Sequence, residues 1–235
     1  MIDVTFDFRL DTPPGRDPDA FSPTLRRFHQ LLWSKPLPGG APFTLDIDTP
    51  RCLHHLSELG EFWLSSDAVI PSWSRWRKMA HLIDQVPEAE REEFMRAGYT
   101  IGGMMVFPAK KVDGKQTING ARGLNVKIAD RLDLTVECIR RHYLGEPSPL
   151  GDTLSRYAGF FRLFVDFAGY VDFFLLQDIV NETSCTVRLF MPFDDFAGSP
   201  LPKTLEAYVG YRERAMDFIE SRNARIAACC LPSVI

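Results

Sequence analysis

The sequence predicts an α+β fold in a single globular domain that spans residues 1–235. Short stretches with the two-residue periodicity of β-strands occur early, in the middle and late in the chain, and stretches with helical periodicity separate them. Because strands and helices do not alternate in the rhythm of βαβ units, a mixed or antiparallel sheet with several packed helices is favoured. A chain of 235 residues that is 45% hydrophobic can bury a substantial core.

The first half of the chain contains candidate strands and helices separated by one strong break. Residues 2–9 alternate apolar and polar side chains and predict a half-buried strand. Ser22 is placed as an N-cap and Pro23 as the first residue of a helix. After the break at 36–42, we expect a strand in FTLDID, a strand in EFWL that leads to a helix or turn capped by Ser66 or Asp67, and helices over 73–85 and 87–98.

The second half begins with a predicted β-hairpin in YTIGGMMVFPAKKVDGKQTIN. Its turn falls at Asp113 and Gly114, which both tolerate positive φ, and TINGARG (117–123) marks the end of the return strand. From Ile128, apolar residues recur every three to four positions until Gly145 closes a helix. The remaining predictions are two buried helices within 153–180 interrupted at Gly169, a strand at 184–193 and a final helix at 204–227.

Composition and charge exclude several classes of protein. The formal net charge of −4 gives no overall attraction to a polyanion, so nucleic-acid binding needs a local basic patch. The five cysteines lack the paired CxxC spacing of a structural zinc site. MIDVTFDFRLD has no secretory-signal character, and no apolar run reaches the roughly 20 residues of a membrane helix. The sequence therefore predicts a soluble, cytoplasmic protein with reduced thiols and no membrane partner.

Four segments of the chain carry a resemblance to a known family. They are LWSKPLP (32–38), LHHLSELGEFWLSSD (53–67), TINGARG and IADRLDLTVECIRRHY (128–143). Together they resemble a family of uncharacterised bacterial proteins of about this length that is also met in phage-associated settings. The resemblance implies a bacterial origin and a single domain, and it implies no activity, cofactor or catalytic residue.

TINGARG and the helix behind it predict an anion site. Glycines let backbone N–H groups turn toward a ligand, arginine binds phosphate or carboxylate bidentately, and a helix N-terminus adds partial positive charge. We therefore expect Asn119, Arg122 and Arg131 to converge on an anion, although the segment matches neither a P-loop nor GxGxxG. The alternative is a plain turn at Asn119 and Gly120, with Arg122 paired to a surface acid.

The densest polar cluster is HHLSELGE (54–61). Adjacent histidines on a strand point to opposite faces, so one of them can enter a given site, and His55 is the candidate acid or base. A metal would need further ligands from elsewhere in the chain, so no metal site is predicted. The alternative is one histidine hydrogen-bonded in the core and the other in water.

SWSRWRK (72–78) is a second candidate for ligand binding. Its tryptophans can stack on nucleic-acid bases while its basic side chains bind phosphates. The alternative places Trp73 and Trp76, three residues apart, against the core with the cations outside. Arg75 and His81 also have the spacing of an arginine–histidine pair in some helical ribonucleases, a spacing that often arises by chance.

Two functional hypotheses follow from these residues. The first is a small enzyme or binder for a phosphate-bearing ligand, a nucleotide or a nucleic-acid end, with Asn119, Arg122 and Arg131 holding the anion and His55 as acid or base. It predicts that Arg122→Ala weakens binding and leaves the melting temperature almost unchanged. The second is a non-catalytic protein-interaction module, with phage biology as one setting. The sequence specifies no cofactor, reaction or oligomeric state.

Overall fold

The computed structural model describes residues 2–49, 51–71, 73, 76–181 and 183–229. Helices make up most of its regular structure, and the strands form three small antiparallel sheets. The helices are α1 (Pro18–Phe21), α2 (Pro23–Trp33), α3 (Arg77–Ile83), α4 (Glu88–Gly98), α5 (Ile118–Leu124), α6 (Leu132–Leu144), α7 (Gly151–Arg156), α8 (Ala158–Arg162), α9 (Phe167–Phe174) and α10 (Leu205–Cys229). The strands are β1 (Lys35–Pro36), β2 (Pro42–Phe43), β3 (Leu53–Ser57), β4 (Gly60–Ala68), β5 (Met104–Pro108), β6 (Val180–Asn181) and β7 (Thr186–Val187).

The largest sheet is three-stranded and antiparallel, in the order β3-β4-β5. Strand β4 is the longest, and its second half pairs with β5 from Leu64 opposite Pro108 to Ala68 opposite Met104. All five residues of β5 are buried, because helices cover the face that would otherwise be open to water. This arrangement of small antiparallel sheets and many helices confirms the predicted α+β fold.

The aromatic side chains of α8 and α9 pack together in the core. Ring centroids lie 5.2 Å apart for Phe160 and Phe164, 5.4 Å for Phe164 and Tyr170, and 4.9 Å for Tyr170 and Phe174. These tilted and edge-on contacts are the arrangements that aromatic rings prefer. The predicted burial of this segment is confirmed.

The division of that segment into helices differs from the prediction. Three helices are present, and Gly169 lies inside α9 instead of breaking it. The break falls at Val165, whose φ is 70°, and Asp166 then caps α9 by accepting a hydrogen bond from the Gly169 backbone N–H at 2.8 Å. Gly169 is needed for close approach, since a Cβ there would collide with the Phe164 carbonyl oxygen.

Helix α10 is held to the rest of the core by a buried arginine. The Arg222 guanidinium donates to the carbonyl oxygens of Gly102 (2.9 Å), Met104 (2.7 Å) and Phe174 (3.0 Å). Burial lowers the pKa of Arg222 to about 10, so the side chain is still charged at neutral pH. The last turn of α9 ends at Phe174, where carbonyl groups point out of the helix and favour a cation.

Several helix ends confirm the sequence signals that predicted them. Ser22 Oγ accepts the Leu25 backbone N–H at 3.1 Å, and Pro23 is the first residue of α2. Helix α6 ends at Gly145, which has a φ of 70°. Such a left-handed position suits glycine because it has no Cβ.

The predicted strand at 2–9 is wrong, because this segment forms turns. Asp3 Oδ1 accepts hydrogen bonds from the backbone N–H and the hydroxyl of Thr5, and Asp7 Oδ1 accepts the Arg9 backbone N–H. An aspartate that bonds the backbone two residues ahead offers the chain an alternative to a sheet ladder. The apolar and polar residues therefore alternate here without a strand.

The predicted return strand of the hairpin is also wrong. The turn residues Asp113 and Gly114 do adopt positive φ, at 52° and 68°. TINGARG then enters helix α5, with Thr117 as the N-cap whose hydroxyl accepts the Gly120 backbone N–H at 3.3 Å. Ile118 and Ala121 face the core from this helix, and that burial decides its structure over turn chemistry.

Three shorter predictions also differ from the structure. Ser66 and Asp67 lie inside β4 and cap no helix. The predicted strand at 184–193 is reduced to β7. The predicted strand in FTLDID is reduced to β2 and an isolated bridge from Asp46 to His54. The predicted helix at 73–85 is α3, and Ser72, Ser74 and Arg75 lie outside the described residues. Within the described chain, no helix is both long enough and apolar enough to cross a membrane.

Candidate functional site

Arg122 lies on the inner face of α5, with 1% of its surface exposed. All three guanidinium nitrogens donate: Nε to Thr135 Oγ1 at 3.3 Å, Nη1 to Asp67 Oδ2 at 2.5 Å and Nη2 to the Asp130 carbonyl oxygen at 2.9 Å. The side chain is therefore not in solvent, and its segment is a helix and not a turn. It links α5 to the end of β4 and to the connection that precedes α6.

Carboxylates outnumber cations around Arg122. Asp67 Oδ2 and Asp130 Oδ1 lie 2.5 and 3.2 Å from Nη1. Burial, and then the nearby charges of Asp67 and Asp17, raise the pKa of Asp19 to about 8, and burial raises the pKa of Asp67 to about 6. An anion brought to Arg122 would meet these carboxylates and lose the water that solvates it.

Arg131 is likewise buried, with 2% of its surface exposed. Its Nε donates to Asp133 Oδ1 at 3.0 Å, Nη2 donates to Asp133 Oδ2, and Nη1 donates to the Pro200 carbonyl oxygen at 3.0 Å. Asp133 Oδ2 also accepts the Phe190 backbone N–H at 2.8 Å. This ion pair fixes the start of α6 against the segment that precedes α10.

Asn119 and Arg122, both on α5, contact the same end of β4, and His55 does not. Asn119 Nδ2 donates to Ser65 Oγ at 3.1 Å, two residues before Asp67. His55 pairs across the sheet with Phe62, so it is about five residues, or ~17 Å, from Asp67 along β4. Of the four residues predicted to converge, Asn119 and Arg122 therefore lie close together. Arg131 lies near them, and His55 is remote.

His55 has hydrogen-bond partners for both ring nitrogens. Nδ1 lies 2.8 Å from the Thr44 carbonyl oxygen and Nε2 lies 2.9 Å from Ser57 Oγ, while the ring stacks on Phe43 at a centroid distance of 4.1 Å. His54 points to the opposite side, toward Glu61. His55 is in the core, as the alternative interpretation expected, but His54 is not in water, because its side chain is 17% exposed and stacks on Trp63. The role of His55 as acid or base stays a prediction.

A buried serine–histidine pair joins α2 to β4. Trp33 Nε1–H donates to His29 Nδ1 at 3.0 Å, so the proton of the neutral ring is on Nε2, which donates to Ser66 Oγ at 2.9 Å. Burial lowers the pKa of His29 to about 3. A histidine that already donates to the hydroxyl cannot accept its proton, so this pair lacks the arrangement of a nucleophile and its base.

A surface groove of about 590 Å³ is lined by residues from three parts of the chain, and we refer to it as the basic groove. Its lining residues are Trp76, Arg77, Lys78, Val126, Lys127, Ala197, Gly198, Ser199 and Leu201. They come from the start of α3, the connection between α5 and α6, and the segment before α10. The lining contains three cations and, among described residues, no carboxylate, histidine or cysteine.

The cationic side chains of the basic groove have N–H groups that donate to no described residue. Arg77 and Lys78 are exposed, and neither side chain forms an ion pair or hydrogen bond with a described residue. Lys127 Nζ donates to the Ala197 carbonyl oxygen at 2.6 Å, which uses one of its three N–H bonds. This surface can accept an anion without first breaking a salt bridge.

Buried side chains hold the α5–α6 connection in a strained conformation beside the groove. Ala129 and Asp130 have φ of 47° and 63°, a left-handed region that costs about 1 kcal/mol or more per non-glycine residue. Trp73 Nε1 donates to the Ala129 carbonyl oxygen at 2.7 Å, and Arg122 Nη2 donates to that of Asp130. Backbone strain that is held in this way is typical of functional sites.

The sequence identified parts of this groove as separate features. SWSRWRK contributes Trp76, Arg77 and Lys78, while Trp73 faces the core. No local signal pointed to Lys127 or to the segment around Ser199, because their approach to α3 depends on buried contacts between distant residues. His81 is exposed, and the arginine–histidine hypothesis rests on Arg75, which lies outside the described residues.

Among the described residues, no group of three histidine, cysteine, aspartate or glutamate side chains is arranged to hold a metal ion. Among the described residues, the thiols of Cys52, Cys138 and Cys229 form no disulfide, and Cys230 lies outside the described residues.

Comparison with known proteins places the chain in a family. Residues 2–226 match a family described as a family of unknown function, DUF6994. Searches of curated proteins and of solved structures each gave no match. Since the match covers nearly the whole sequence, the chain belongs to this family of unknown function.

Proposed function

We propose that this protein binds a phosphate-bearing ligand in the basic groove. The observation that supports the proposal is the presence of Arg77, Lys78 and Lys127 around one cavity whose described lining residues include no carboxylate. Cations that keep free donors attract phosphate by charge and by hydrogen bonding. A volume of about 590 Å³ falls within the ~300–1,000 Å³ of small-molecule sites.

The proposed anion site is not formed by the residues that the sequence favoured. Arg122 and Arg131 support the walls of the groove by donating to the carbonyl oxygens of Asp130 and Pro200, and Asn119 bonds to β4. Their guanidinium groups are already occupied by carboxylates and carbonyls. The proposal is for binding, and it assigns no acid–base chemistry to the described residues that line the groove.

The experiment measures binding of ribose 5-phosphate and inorganic pyrophosphate by calorimetry at low salt. Arg77→Ala/Lys78→Ala is expected to weaken the affinity by about tenfold or more and to leave the melting temperature nearly unchanged, because both side chains are exposed. The wild-type affinity should fall as salt is added.

Lys111→Ala/Lys115→Ala is the matched control, because both side chains are exposed cations outside the groove. It should bind like the wild type, although it removes the same number of charges. Absence of binding in the wild type, or equal loss in the two double variants, would contradict the proposal.

The second candidate function is protein binding, and a different surface favours it. Leu59 is exposed at the turn between β3 and β4 and lines a largely apolar cavity of about 350 Å³ together with Leu37, Leu163 and Val165, among others, and Leu56 is exposed on β3. Exposed apolar clusters of this kind mark interaction sites. Should no phosphate compound bind, this interaction surface becomes the leading candidate.

A further inference from the structure

The lining of the basic groove has a cationic part and an apolar part. The cationic part consists of Arg77, Lys78 and Lys127, and the apolar part of Trp76, Val126 and Leu201. A site for phosphate alone needs only the first. A ligand that uses both parts must carry an anion and a flat or apolar group on one small framework.

The size of the groove also exceeds what a bare phosphate requires. A cavity of about 590 Å³ is comparable to sites that enclose whole drug-sized molecules. Trp76 is partly buried against the core, and pyrophosphate or a sugar phosphate would leave the exposed part of its indole and the side chain of Val126 uncovered. Water against these apolar groups is unfavourable, so a larger ligand that covers them gains affinity.

On the basis of the phosphate binding proposed above, we infer that the basic groove takes a nucleoside phosphate, with its base against Trp76 and its phosphate among the cations. Bases stack on tryptophan, and one such contact typically strengthens binding ~5- to 150-fold. Exposed Val126 on the groove wall adds apolar surface for the same ring.

The lining further indicates that base identity matters little. Discrimination between bases needs side chains that donate and accept in a fixed pattern, such as asparagine, glutamine or a carboxylate. Among the described lining residues, Ser199 is the one uncharged polar side chain. Stacking tolerates every base because each has a π-face, so purine and pyrimidine nucleotides should bind with similar affinity.

The test compares three ligands on the full-length protein by calorimetry: adenosine 5′-monophosphate, ribose 5-phosphate and adenosine. The inference expects the nucleotide to bind ~5- to 150-fold more tightly than ribose 5-phosphate. Trp76→Leu should abolish that difference and leave the affinity for ribose 5-phosphate nearly unchanged. Trp76→Phe, which keeps an aromatic ring, should restore part of it.

Trp63→Leu is the matched control, since Trp63 is another partly buried tryptophan and lies outside the groove, stacked on His54 at 4.1 Å. It should retain the full preference for the nucleotide. Melting temperatures of all variants identify any that fail to fold. If Trp76→Leu does not fold, the preference of Trp76→Phe for the nucleotide over ribose 5-phosphate is compared with that of the wild type.

The outcomes separate this inference from the proposed function. If ribose 5-phosphate binds as tightly as the nucleotide, the role of Trp76 is overturned and phosphate binding stands. If neither binds, both fall. Equal losses for both ligands in Trp76→Leu would also overturn the inference, because a stacking residue acts only on the ligand with a base.

A final comparison distinguishes a free nucleotide from a nucleic-acid end. A 5′-phosphorylated tetranucleotide that binds more tightly than the mononucleotide, and more tightly than its unphosphorylated form, would identify a strand terminus as the ligand. Weaker binding of the tetranucleotide than of the mononucleotide would identify the free nucleotide.

Discussion

Lys127 lies between Arg122 and Arg131 in the sequence, yet the fold gives these three cations opposite environments. Arg122 and Arg131 are buried and paired with Asp67, Asp130 and Asp133, whereas Lys127 lies at the wall of an open groove. The difference shows what burial demands. A buried guanidinium must have its charge and donors satisfied inside the protein, so it is committed to the fold, and a surface cation can serve a ligand.

The interior cations should therefore control stability, and the largest effect is expected at Arg222. Arg222→Met leaves the carbonyl groups of Gly102, Met104 and Phe174 without their donor, and a buried group that loses its partner costs about 1–3 kcal/mol. We expect a loss of roughly 3 kcal/mol or more in the free energy of unfolding. Denaturant titration measures it.

Arg225→Met is the comparison for that measurement, because its pair with Asp178 at 2.8 Å is partly exposed and should be worth about 0–1 kcal/mol. Equal stability of the two variants would refute the account of Arg222 as a buried link between α10, α9 and β5.

Arg122→Ala is the variant that most directly distinguishes the role of the buried cations from that of the basic groove. It leaves Asp67 and Asp130 without their cation, and breaking a buried pair from one side costs about 3–5 kcal/mol. Because Asp67 and Asp130 are partly exposed, we expect the lower end, a fall in melting temperature of ~6–12 °C. The affinity of the folded variant for ribose 5-phosphate should change little.

The sequence-based expectation for the same variant was the reverse, with binding weakened and the melting temperature almost unchanged. Calorimetric binding and thermal unfolding on one sample decide between the two. A stable Arg122→Ala protein that no longer binds phosphate would indicate that the anion binds at TINGARG and not in the basic groove.

A smaller, pH-dependent effect is expected from the acids near Arg122. The pKa of Asp19 is raised from 3.8 to about 8, so the folded protein holds a proton that the unfolded chain releases. Its contribution to stability is complete below pH ~4 and is lost as the pH rises to about 8, and Asp67, raised to about 6, acts in the same direction. Asp19→Asn should therefore lose less stability than the wild type as the pH rises from about 4 to about 8.

Thermal unfolding across that pH range measures the difference. Asp113→Asn, in an exposed loop, is the control and should follow the wild type. If Asp19→Asn has the same pH profile as the wild type, the carboxyl group of Asp19 does not hold its proton in the folded protein.

Much of the fold could be predicted from local sequence signals. Ser22 with Pro23, and Gly145, mark helix ends because each satisfies or permits a backbone geometry that involves only neighbouring residues. Residues 2–9 show where such signals fail. Their alternation matches a strand, but no strand in the described part of the chain pairs with them, and the carboxylates of Asp3 and Asp7 accept hydrogen bonds from the backbone instead.

The candidate site was less predictable than the fold. Residue type and glycine content pointed to TINGARG, and the tryptophans and cations pointed separately to SWSRWRK. Which of these arginines keeps free donors depends on burial, and burial depends on packing between segments far apart in sequence. Arg131, for example, is held by the Pro200 carbonyl oxygen, 69 residues away.

By itself, the sequence determined the α+β class, the aromatic core and the ends of several helices, because these follow from periodicity, side-chain volume and local hydrogen bonding. Only the tertiary structure decided which cations are exposed to a ligand. Arg122 and Lys127 differ little in local sequence context, but one meets carboxylates in the interior and the other meets water. Electrostatic pairing at a buried site is a property of the folded neighbourhood, and the order of residues along the chain does not specify it.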